Sequence, residues 1–186
     1  MTSIIKVDQI QNAAGGTPTA ADLGLNVSGS VLQVVQGIKT DTSATSGMSF
    51  VTLSGLSASI TPTSTSSKIL VTWTIWFGQT AQHNRTVGRL RRTVNGSITY
   101  PFLANQDGSR TSATWGTQYG GAIHGETQCA SGSFLDTPAT TSAITYDFDW
   151  SGEGGTAYIN RGYEADGDNA YTQRLCSSII IQEIAG

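Results

Sequence analysis

Charge is scarce in this chain. Only 12% of its 186 residues are charged, against roughly 25% in an ordinary globular domain. Ten basic and thirteen acidic residues leave a net charge of -3, which argues against nucleic acid as the main partner, since phosphate neutralisation needs a basic face. Cysteine is scarcer still. Cys129 and Cys176 are too few for a disulfide scaffold, and no Cys-x-x-Cys or Cys/His spacing suits zinc. Both lie in strand-like segments among small residues, either as free buried thiols or as one bridge. His83 and His124 are the only histidines. Neither belongs to a His-Glu-x-x-His motif, and no Gly-x-Ser-x-Gly turn is present. No apolar run approaches the ~18 residues of a membrane helix, so no membrane insertion is expected. Long Glu/Lys/Leu-rich stretches are also absent, which excludes a helical bundle or coiled coil. The first eight residues, Met1 to Asp8, show no basic segment leading into an apolar one, so no secretion signal is expected. The Asn26, Asn84 and Asn95 sequons then carry no meaning.

Small residues fill the space that charge leaves: 26 Thr, 22 Gly and 21 Ser, with 15 Trp, Tyr and Phe to anchor a core. This composition predicts an all-β protein. Residues 1–28 read as an arm. Its apolar residues Ile4, Ile5, Val7, Ile10, Leu23 and Leu25 are too few for a core of their own, and are expected to dock on another chain. From residue 29 to 186, short strands alternate with turn signals. Expected strands cover 31–38, 48–53, 58–61, 68–77, 86–94, 97–100, 126–135, 142–150, 156–160 and 176–184. Ile69, Val71, Trp73, Ile75 and Phe77 alternate with their neighbours and give one wholly apolar face. Asn95-Gly96 predicts a tight hairpin, and Gly152-Glu153-Gly154-Gly155 predicts another turn. The last strand is apolar to its end and is expected in a buried central position. This pattern predicts an antiparallel β-sandwich, jelly-roll-like, with an extended N-terminal arm.

Chemistry-bearing clusters are few. Arg85, Arg89, Arg91 and Arg92 gather within eight positions, and Asp147, Asp149, Glu153, Glu164, Asp166 and Asp168 gather later. The two clusters face each other between strands or between subunits, or are simply solvated. Asp147 and Asp149, two apart on a strand, share a face and offer the carboxylate pair of a glycan-cleaving enzyme, or else an acidic outer face behind an aromatic inner one. Glu164, Asp166 and Asp168 are a weak calcium candidate, lacking the Asp-x-Asp-x-Asp-Gly order; otherwise no metal site and no cofactor are expected. The long segment between Pro101 and Gly125 stands out. Asn105, Asp107, Arg110, Trp115, Tyr119 and His124 combine stacking rings with short polar groups, as a surface contacting a host glycan or protein would. The competing reading packs Trp115 and Tyr119 down as a lid or between subunits.

Several segments resemble virion proteins of marine tailed phages, tail-fibre and structural proteins among them. They are Ile4 to Asn12 with Gly15-Gly16-Thr17-Pro18, Ser30 to Gln36, Ile60-Thr61-Pro62, Ser66 to Val71, Phe134 to Pro138, Tyr158-Ile159-Asn160 and Ile181 to Gly186. The resemblance implies a small homotrimeric jelly-roll knob, assembled in the bacterial host cytoplasm and displayed on the virion. It implies anchorage to other virion proteins through the arm, and carries over no catalytic residue. The function expected is therefore non-enzymatic: host attachment or capsid decoration. The alternatives are a glycan-cleaving tailspike-type enzyme and a secreted lectin-like module.

Overall fold

The computed structural model describes residues 10–11, 14–18, 22–23, 28–80, 85–118, 126–163 and 172–186. Among these residues ten strands run in chain order: β1 (Val31–Lys39), β2 (Ser43–Thr52), β3 (Ala58–Ile60), β4 (Lys68–Gln79), β5 (Arg85–Val94), β6 (Ser97–Phe102), β7 (Trp115–Gln118), β8 (Gln128–Asp136), β9 (Ile144–Ile159) and β10 (Ser177–Ile184). Every pairing is antiparallel.

The pairings form two layers. In the first sheet β10 lies between β1 and β4, and β4 pairs on its other side with β8. In the second, β9 lies between β5 and the β2 and β3 segments, and β5 continues to β6 and β7. The orders β1-β10-β4-β8 and β2/β3-β9-β5-β6 are those of a jelly roll, in which strand pairs wrap together around one core. The expected sandwich is the observed fold.

Alternation explains the core. On β4 the sequence places Ile69, Val71, Trp73, Ile75 and Phe77 on one side, and all five are buried. Ile179 and Ile181 of the neighbouring β10 are buried beside them, and opposite them β9 buries Ile144, Tyr146, Phe148 and Trp150, with Leu90 from β5. Trp73 and Phe148 meet edge to face across the layers, ring centroids 5.7 Å apart. Phe102 stacks on Phe134 at 4.8 Å, joining the two sheets along their β6 and β8 margins. β10 takes the central place its apolar sequence predicts.

Three sequence expectations need correction. The glycines at 152, 154 and 155 make no turn: β9 runs unbroken for 16 residues. Its pairing with β2 shifts register between Ser46 and Val51, so the strand bends at a bulge. Beyond the bulge, Ala157 to Ile159 pair with the end of β4, tying the two sheets together. The segment 101–125 contains a strand, β7, held against β5. The cysteines are free, as one reading had it, but exposed instead of buried. Of the expected arm residues, Ile10 and Leu23 are exposed at 54% and 46%; Ile4, Ile5, Val7 and Leu25 lie outside the described residues.

Candidate functional site

The arginine and acid clusters meet strand to strand within one chain. The β5–β9 register sets Arg85 opposite Glu153, Arg89 opposite Asp149 and Arg91 opposite Asp147, all on the outer face of the second sheet. Arg91 grips Asp147 with two parallel bonds, Nε to Oδ1 and Nη2 to Oδ2, each 2.6 Å. Its Nη1 lies 3.1 Å from Asp149 Oδ1 and donates to Thr52 Oγ1 at 2.7 Å. Asp149 also accepts from Tyr100 Oη at 2.6 Å and from Thr52 Oγ1 at 3.1 Å. Arg85 pairs with Glu153.

The electrostatics follow from this geometry. The hydrogen bond to Asp147 raises the Arg91 pKa; burial opposes it, and the Asp147 and Asp149 charges add to the rise. The bond to Asp149 raises the Tyr100 pKa, with burial acting in the same direction. The guanidinium of Arg89 lies 3.7 Å above the Phe50 ring, while its Nε donates to Ser112 O at 2.9 Å.

Beside this face rises the loop from Leu103 to Thr114. Gln106 organises it: its amide donates to the carbonyls of Gly108 (2.9 Å) and Arg110 (2.7 Å), and its Oε1 accepts from Ser112 Oγ at 3.0 Å. Thr114 fastens the base, its N donating to Gly88 O and its Oγ1 accepting from Leu90 N, both at 2.8 Å. Asn105, Asp107 and Arg110 project into solvent. Arg110 and Asp107 pair at 2.7 Å with both side chains 76% exposed, so this pair stiffens little. Where the loop meets the charged face, Met48, Arg85, Val87, Thr111, Ser151 and Glu153 line a shallow open depression.

Trp115 does not join that surface. Its ring stacks on Phe77 at 5.5 Å and packs against the core. It lies over Gly88, where any Cβ would collide with the indole. Of its two sequence readings, the lid describes its position, and the expectation of an exposed contact ring is corrected accordingly. The glycine at 88 was the available signal, since a bare position in a strand leaves room for a large ring opposite. Tyr119 and His124, and Glu164, Asp166 and Asp168 of the calcium candidate, lie outside the described residues.

Buried polar networks escaped the sequence reading, two of them built on carboxylates. Glu183, wholly buried on β10, accepts from Thr63 N, Thr63 Oγ1 and Ser67 Oγ, each at 2.7 Å, and from Gln33 Nε2. Burial pushes its pKa up, but those hydrogen bonds outweigh it and hold the carboxyl below its ordinary value. Asp136, also buried, accepts from Arg92 Nη1 at 2.9 Å and Tyr146 Oη at 2.7 Å. Burial and then the bond to Asp136 raise the Tyr146 pKa far above its usual range. Both carboxylates fasten distant segments together.

The chain is thus a jelly-roll β-sandwich with the ion pairs of Arg85 and Arg91 on one outer face and a stiffened polar loop beside it. Its sequence matches no protein-family model and no curated protein. Among solved structures it is similar to chains of infectious bursal disease virus. For the Gx strain structure the identity is 12% and the TM-score 0.39, over 83% of this chain and 37% of that one. For the Gt strain they are 13% and 0.35, over 82% and 36%. For the VP2 subviral particle they are 12% and 0.36, over 82% and 38%. This chain therefore spans less than two-fifths of those chains.

Proposed function

We propose that this chain is a non-enzymatic structural protein of a phage particle, a jelly-roll knob displayed on the virion and anchored through residues 1–28. The observation that carries the reading is the commitment of the paired acids. Cleavage of a glycan needs one carboxyl group free to give a proton and a second free to attack or activate water. Asp147 and Asp149 instead bind Arg91, Thr52 and Tyr100 across neighbouring strands. Charge here braces a sheet. The sequence segments that resemble phage virion proteins support the same role.

The finer reading is a homotrimer working in host attachment or in decoration of the head, with Asn105, Asp107 and Arg110 as the outermost contacts and Tyr119 and His124 following in the chain. Trp115 serves that surface from beneath. Electron cryomicroscopy of intact particles carrying a tagged copy tests the role. Density at the tail tip supports attachment, regular density over the head supports decoration, and particles without the chain overturn the proposal. For attachment, a triple alanine variant at 105, 107 and 110 should lose on the order of tenfold or more in cell binding with its melting temperature unchanged. Undiminished binding removes attachment.

A further inference from the structure

The two outer faces of the sandwich differ in charge. The second sheet carries three arginines and three acids on its outer face: Arg85, Arg89 and Arg91 against Asp147, Asp149 and Glu153. On the first sheet, the register brings Val34, Gln182, Leu70 and Leu135 into one row across all four strands. Ile38 and Trp76 stand further along the same face, and the positions between are mostly Thr, Ser and Gln. The one charge among the described residues of this face is Lys68, at its margin.

A sheet face turned to water normally carries polar and charged side chains. Here Val34, Ile38 and Leu135 are 56%, 53% and 49% exposed. Single exposed apolar residues are ordinary; a contiguous face that also lacks charge is not. Four strands at ~4.8 Å spacing and about eight residues at ~3.3 Å each project about 500 Å². Side-chain relief makes the accessible area larger, which brings it near the ~800 Å² per partner of a stable protein contact. Charge then selects the occupant. A charged partner would leave its own groups desolvated and unpaired here, whereas a copy of this chain brings a surface that repels nothing.

We infer that the outer face of the β1-β10-β4-β8 sheet is the contact through which copies of this chain associate. The inference deepens the proposed assembly, and rests on that reading only for the number of copies. In the trimer, the three uncharged faces turn toward the common axis and the ion-paired faces remain outside.

The test is the mass of the full chain in solution at micromolar concentration, measured by light scattering after size exclusion. The wild type should give a multiple of 19.5 kDa. The double variant Val34→Lys/Leu135→Lys should fall to the monomer mass with an unchanged circular dichroism spectrum. Ile98→Lys, on the other sheet at similar exposure (52%), should leave the mass as in the wild type. If the lysine variant fails to fold, Val34→Thr/Leu135→Thr keeps strand-forming residues and should weaken association at least tenfold. A wild-type monomer overturns the inference, as does an oligomer indifferent to these substitutions. A trimer that survives them retains the trimer and rejects this face. A dimer that they dissociate supports the face and rejects the trimer.

Discussion

Glu183 shows how one buried acid governs a distant loop. Its oxygens receive hydrogen bonds from Thr63 and Ser67, which hold the β3–β4 connection against β10. Glu183→Gln keeps the shape but turns an N–H toward groups that are themselves donors. Leaving buried donors unmatched costs about 2 kcal/mol, which urea denaturation at neutral pH should show. The acid also sets a pH dependence. Its folded-state pKa lies below the unfolded one, so the stabilisation is complete above the ordinary carboxylate range near ~4.3. It is lost as pH falls through the lower folded value. The Gln variant should therefore lose less stability than the wild type between neutral pH and about pH 3. Equal losses would show that Glu183 does not titrate as its contacts require. Trp115 makes the complementary case in the core. Stacked on Phe77, it should cost about 3 kcal/mol when cut to alanine, seen as a lower melting temperature. Undiminished stability would return the ring to the surface role read from sequence.

Among the elements, those with plain alternation were legible. β4 and the first half of β9 were visible because their apolar residues fall at every second position, and the Asn95-Gly96 hairpin because both residues adopt positive φ (49° and 79°). β9 as a whole was not. Three glycines within four residues read as a turn by local chemistry, yet pairing with β2 and β4 on either side carries the strand through. β7 was hidden because its four residues, Trp115 to Gln118, are held by contacts with distant β5 and not by their own pattern. The site divides the same way: the Arg and Asp clusters could be seen, but their mutual pairing depends on a register that spans β5 and β9. A prediction belongs to the bulge. Gly154 has φ +86°, which a β-branched side chain adopts only under strain. Gly154→Val should cost about 2 kcal/mol in urea denaturation. A neutral substitution would show that β9 crosses between the sheets without the bend.

For the molecule as a whole, the separation of charge has a consequence that simple salts can reveal. The ion pairs of Arg85 and Arg91 lie within one chain, on the outer face of the second sheet, and the proposed contact between copies is almost uncharged. Raising sodium chloride from about 0.05 to about 0.5 M should leave the degree of association unchanged, since there is little for the ions to screen. Sulfate, which strengthens apolar burial, should increase it. Dissociation by sodium chloride would mean that charged groups hold the copies together. The wrapped order of the strands also has a consequence in time. Among the described residues, Val31 and the rest of β1 pair only with residues 177–184, so on a ribosome moving at roughly 5–20 residues per second the first of the described strands waits on the order of ten seconds for its neighbour. During that interval nascent β1 has an open hydrogen-bonding edge and apolar side chains, while neighbouring ribosomes on the same message carry identical unfinished chains. Slower translation lengthens that exposure, and the yield of correctly folded protein becomes a race between elongation and encounter.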